Sequence, residues 1–73
     1  MDYIEYLDKD SGKVLKTDYS ALNLPNLGDF LLINGYSYRV VDIKDNLVDI
    51  HEIKEHGGSD VEEYALVTVK KIR

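Results

Sequence analysis

The chain has 73 residues, 44% apolar and 32% charged, with a formal charge of −5 and no cysteine. A chain of this length builds one small core, burying only about 60% of its unfolded surface, and has no room for a second domain or a large active site. Disulfides, thiolate zinc sites and cysteine nucleophiles are excluded, so packing alone must hold the fold. Val, Ile, Thr, Tyr and Phe supply 22 residues, side chains that fit a pleated surface, and turn signals recur at short intervals.

Residues 3–7 are the first predicted strand. Asp8-Lys9-Asp10-Ser11-Gly12 is a turn cluster whose glycine supplies a positive φ, and residues 14–17 return as the second strand of a hairpin. Residues 19–27 show no alternation. Ser20 suits the cap of a single helical turn, and Pro25 forbids a long helix and biases Leu24 toward extended backbone. This segment reads as an ordered connecting loop with its leucines tucked under the barrel.

Gly28-Asp29 opens a strand over residues 30–33. Asn34-Gly35 then suits a two-residue hairpin turn with positive φ at both central positions, and residues 36–43 return. On that strand Tyr36, Tyr38, Val40 and Asp42 point one way, and Ser37, Arg39, Val41 and Ile43 the other. Neither face is purely apolar, which predicts a bulge that shifts the alternation. Residues 44–46 read as a tight turn and 47–53 as a strand with Val48 and Ile50 on one face. Residues 54–63 read as a polar, mobile loop, and a helical reading of residues 59–70 competes because Ser59-Asp60-Val61-Glu62 resembles a helix start. Residues 64–72 close the chain, Ala65, Val67 and Val69 sharing a face. The expected fold is an all-β, small SH3-like barrel of five or six antiparallel strands, with at most a short helical turn, over one domain spanning residues 1–73.

From Pro25 to Val40 the sequence carries P-x-x-G-D-x(5)-G-x-x-Y-x-V. This segment resembles small SH3-like β-barrels, and with its N-terminal hairpin it resembles short uncharacterised proteins of bacteria and their phages. The resemblance covers 16 residues and implies an architecture with no catalytic residue. Barrels of this kind host many binding roles.

The sequence starts Met1-Asp2-Tyr3-Ile4-Glu5, with acids where a signal peptide would carry lysines, and its longest apolar run, residues 30–33, falls far short of the roughly 20 needed to span a membrane. The expectation is a complete, soluble, cytoplasmic polypeptide. The charge is uneven. Residues 44–63 hold seven acids and two bases, whereas the last ten residues hold three bases and no acid. The acidic balance disfavours nucleic acid and anionic membranes as partners.

Catalytic chemistry has little to build on. No serine lies in a nucleophile elbow, and Gly57-Gly58 lacks the residues of a phosphate loop. His51 and His56, with Glu52 and Glu55 between them, match no recognised zinc spacing. Asp8, Asp10 and Gly12 lack the distant glutamate of a calcium loop. The chain is therefore expected to be no enzyme and to need no cofactor or metal.

The six tyrosines are the more informative feature, with one phenylalanine and no tryptophan beside them. Tyrosine combines an apolar body with a polar tip and is enriched at interfaces. The leading expectation is a small non-catalytic module that binds a protein partner through a surface including Tyr36, Tyr38 and Arg39. Base stacking on Tyr36 and Tyr38 is disfavoured by the charge. One alternative is an acidic phage-type inhibitor or nucleic-acid mimic, using Asp49, Glu52, Glu55, Glu62 and Glu63. Another is a structural subunit that assembles as a homo-oligomer through its edge strands.

Overall fold

The computed structural model describes residues 1–20, 23–53 and 58–72, with backbone alone at 51–53 and 58–59. Five strands follow one another: β1 (Tyr3–Asp8), β2 (Val14–Asp18), β3 (Phe30–Ile33), β4 (Tyr36–Ile53) and β5 (Gly58–Lys71). They form one sheet in the order β2-β1-β5-β4-β3, which curls into a nearly closed small barrel. The Asn34 side-chain amide donates to the Leu15 carbonyl at 3.3 Å, bringing the two edge strands β2 and β3 together.

Local chemistry accounts for the two hairpins at this end. The β1–β2 turn is held by Asp8, whose carboxylate accepts from the Ser11 hydroxyl at 2.7 Å, and Gly12 closes it at φ 71°. At the β3–β4 turn Asn34 and Gly35 sit at φ 53° and 83°, the left-handed pair that a two-residue hairpin requires. β3 keeps the expected bounds, pairing Ile33 with Tyr36 and Phe30 with Arg39.

The core is one layer of side chains inside the curl. Ile4, Tyr6, Ile33, Tyr38, Val40, Ala65, Val67 and Val69 are buried together, with Leu15, Leu24, Leu31 and Ile43 packed against them. The expected bulge on β4 lies between Val40 and Asp42. Val41 is the extra residue there, so Val40 and Ile43, opposite Val69 and Val67, both face inward. Of the leucines in the connecting loop, Leu24 packs on the core and Leu27 is exposed. Ala21 and Leu22 lie outside the described residues.

Three expectations are corrected. First, the sheet is mixed, because β1 runs parallel to β5, pairing Tyr3 with Tyr64 through to Asp8 with Val69. Parallel neighbours need a long crossover, here most of the chain, so no local signal announces them. Second, residues 36–43 and 47–53 are one strand. The turn signal at 44–46 becomes a second bulge, with Asn46 at φ 56° and its amide donating to the Asp45 carboxylate. Third, β5 begins at Gly58, so residues 58–63 are strand and not loop; residues 54–57 lie outside the described residues. The competing helical reading of residues 59–70 gives way to strand, as the Val67-Thr68-Val69 run favours. The cross-strand partners of β4 override the local preference.

These merged strands outrun the barrel. A globular chain of this length has a radius of gyration of about 11 Å. This one reaches 14.0 Å and extends 47 × 22 × 18 Å. β1 stops flanking β5 at Tyr3, so beyond the Tyr64–Leu47 pair the β4–β5 ribbon continues as a two-stranded arm. The arm spans six residues per strand, roughly 20 Å at about 3.3 Å per residue.

Ile4 is fully buried at the centre of the barrel. Its replacement by alanine should cost about 2–5 kcal/mol in urea unfolding. That is a large share of the roughly 4–11 kcal/mol that a domain of this size commands. Val14→Ala, at an exposed position of β2, should cost less than about 1 kcal/mol. Equal losses would contradict the inward–outward assignment.

Candidate functional site

The residues marked by the sequence do not form one surface. Tyr38 is a core residue, 5% exposed, and its ring packs among the barrel aliphatics. Tyr36 shares its face but sits at the barrel mouth, 50% exposed, with the Lys71 ammonium 3.8 Å from its ring centroid. Arg39 is exposed on the opposite, outer face by simple alternation. The structure thus separates Arg39 from both tyrosines and withdraws Tyr38 from the surface. The β3–β4 register is the cause, because it aims Leu31, Ile33 and Tyr38 into the curl.

The same register exposes a pair that the sequence reading missed. Phe30 and Leu32 point outward from the edge strand β3, at 71% and 75% exposure. Phe30 lies opposite Arg39, and Arg39 lies opposite Lys70 on β5, so two aromatic or aliphatic side chains and two cations share one outer face. Ile72, whose amide donates to the Ser37 carbonyl, is a further exposed apolar residue at that end. In the run Phe30-Leu31-Leu32-Ile33 composition does not tell inside from outside. Only the pairing fixed by the Asn34-Gly35 turn does.

The segment from Pro25 to Val40 proves to be turn and core chemistry. Gly28 takes φ 86° and its amide donates to the Val40 carbonyl, while Asp29 accepts the Val40 amide through its backbone carbonyl and the Asn26 amide through its carboxylate. The space a Gly28 side chain would enter is bordered by the Arg39 guanidinium. Each motif residue with a role here shapes the start of β3, turns its end at Gly35 or fills the core.

A second tyrosine group sits on the outer face at the base of the arm. Tyr3 and Tyr64 are stacked with centroids 5.0 Å apart, and Tyr19 leans on Tyr3 at 5.5 Å. Tyr3 is buried by these rings although it lies outside the main core. Its hydroxyl donates to Asp49 at 3.4 Å, which ties the arm to the barrel. Desolvation by burial, then the Asp49 charge, push the Tyr3 hydroxyl up to about 12. Burial also raises Tyr6, with Asp18 adding to it.

Of the acidic surface named from the sequence, Asp49 and Glu62 lie opposite each other on the arm face that carries Tyr64. Glu63 is exposed on the other face, opposite Val48. Glu52 belongs to β4 by its backbone, and its side chain, like that of His51, lies outside the described residues; so do all of Glu55 and His56. Val48, Ile50 and Val61 share the Glu63 face. Among the described residues there is no pocket and no group of three or more histidines or acids placed to hold a metal. Neither a protein-family model, nor a curated protein, nor a solved structure matches this chain.

Two predictions follow from these placements. Tyr38→Ala should destabilise the protein by about 3–5 kcal/mol, and Tyr36→Ala by less than about 1, as read by urea unfolding. An ultraviolet absorbance titration should show a last tyrosine ionising near pH 12, absent in Tyr3→Phe. Unfolded Tyr3 ionises near its ordinary 10.0, so its stabilising contribution is complete below pH 10 and is lost as the pH rises through 12. A Tyr3→Phe variant that keeps the ionisation near pH 12 would refute Tyr3 as its source.

Proposed function

We propose that this chain is a small non-catalytic binding module that works by protein–protein contact through the outer face of β3 and β4. The observation that carries this reading is the exposure of Phe30 and Leu32 side by side on an edge strand. Apolar side chains that adjoin on a surface mark contact sites more often than ones scattered singly. Arg39 and Lys70 rim the pair, and Arg39 is a residue type enriched in interfaces. Tyr36 stands at the barrel mouth and serves as a rim residue, its ring already engaged by Lys71. The SH3-like character of the barrel agrees with a binding role but names no partner.

The patch is cationic and apolar together, so an acidic partner suits it. A protein captured by the wild type should be released by the double variant Phe30→Ser, Leu32→Ser, with at least about tenfold weaker binding. Both residues are exposed, so the thermal unfolding curve should stay in place. A partner held equally by wild type and double variant would move the contact surface elsewhere.

A further inference from the structure

We propose that β3 pairs edge to edge with the β3 of a second copy, antiparallel about a two-fold axis at Leu31. Facing antiparallel residues alternate between pairs that bond to each other and pairs whose backbone groups point away. The Val40 amide donates to the Asp29 carbonyl, and the Ile72 amide donates to the Ser37 carbonyl, which therefore faces away from β3. Ser37 lies opposite Leu32. By alternation Leu31 and Ile33 bond to β4, while the amides and carbonyls of Phe30 and Leu32 face the free edge of the sheet. Among the described residues nothing bonds to these four groups. β2, the other edge, meets this one just past its end, where Asn34 donates to the Leu15 carbonyl.

The two edges differ in their chemistry. Edge strands that stay single carry charges or proline that discourage pairing. β2 holds Lys16 and Asp18. β3 is Phe30-Leu31-Leu32-Ile33, with neither, and the two residues whose backbone is free are also the two with exposed side chains. β3 is short, but it is an unguarded template for a further strand.

The register selects a second copy as that strand. An axis at Leu31 sets Phe30 of each copy opposite Leu32 of the other. Both are then bonded pairs, and the two amides and two carbonyls from each copy are all satisfied by hydrogen bonds between the copies. The four side chains meet on the outer face, apolar beside apolar. Asp29, the one charge between Gly28 and Asn34, falls outside the paired residues. The two Arg39 positions are three strand spacings apart, roughly 14 Å, beyond a Debye length of about 8 Å. Antiparallel pairing also points the two acidic arms in opposite directions, because each arm continues the β4 beside its own β3. The outer contact face is enlarged and not covered, so the pairing does not depend on what that face binds.

The test starts with wild type, by sedimentation and amide exchange up to roughly 1 mM protein. A ladder this short makes a weak interface, so the dimer fraction should rise with concentration. In the monomer the Phe30 and Leu32 amides should exchange fast and those of Leu31 and Ile33 slowly; in the dimer Phe30 and Leu32 should slow as well. Leu32→Pro removes an edge-facing amide and no bond to β4, so its circular dichroism should match wild type while self-association weakens at least about tenfold. The chain has no cysteine, so the register can be read by cross-linking. Phe30→Cys and Leu32→Cys, mixed and oxidised, should form a disulfide-linked heterodimer well ahead of either variant alone, since a bonded pair sets its Cα atoms about 5.5 Å apart. A wild type monomeric throughout, a dimer whose two edge amides exchange as fast as in the monomer, a dimer indifferent to a folded Leu32→Pro, or equal cross-linking in all three samples would each overturn the proposal. Should Leu32→Pro misfold, amide exchange and cross-linking decide. With wild type monomeric, slowing of the same two amides by an acidic protein would make the edge a site for a foreign strand instead. Release of a captured protein by Phe30→Ser, Leu32→Ser, again with wild type monomeric, would end the self-pairing and leave the contact-face reading standing.

Discussion

The β4–β5 ladder carries both halves of the molecule, since β1 attaches to β5, β3 attaches to β4, and the arm is the free continuation of the pair. Thirteen cross-strand partners run from Tyr38 opposite Lys71 to Ile53 opposite Gly58. The inner face of this ladder is core where β1 and β3 curl over it and open surface where they end. Barrel and arm are therefore one physical element in two environments. The first is stabilised by buried aliphatics; the second is held by backbone pairing and by what anchors its base.

That anchoring is concentrated at Tyr3. A two-stranded ribbon is marginal in water by itself. Here Asp2 extends the support one step past β1, its amide donating to the Glu63 carbonyl and its carboxylate accepting the Glu63 amide, both at 2.7 Å. The stacked rings of Tyr3 and Tyr64 and the Tyr3–Asp49 contact hold its outer face. The tyrosines thus divide by task. Tyr6 and Tyr38 fill the core, Tyr3 and Tyr64 clamp the arm, and Tyr36 stands at the mouth under Lys71.

Two bulges let a sequence with imperfect alternation serve this design. At Val41 the extra residue returns Ile43 to the inner face, as the mixed polarity of residues 36–43 predicts. At Asp45-Asn46 the same device lets a strand continue through residues that favour a turn. Locally, a left-handed asparagine serves a hairpin turn or a bulge equally well. The choice rests on whether the flanking strands find the same partner, and both halves of β4 pair with β5.

The sequence by itself determined the elements whose causes are local. The Asp8–Gly12 and Asn34-Gly35 turns follow from side-chain capping and positive φ, β3 keeps its bounds, and the alternation of Ala65, Val67 and Val69 names the strand that becomes the centre of the core. Tertiary structure alone decided the parallel β1–β5 pairing, the fusion of two strands into β4, the extension of β5 back to Gly58, and the sides on which Tyr38 and Phe30 fall. Each of these depends on a partner distant in sequence. A one-residue choice of register sends an entire strand face inward or outward, so the burial of Tyr38 and the exposure of Phe30 were set by the strand opposite and not by the residues beside them.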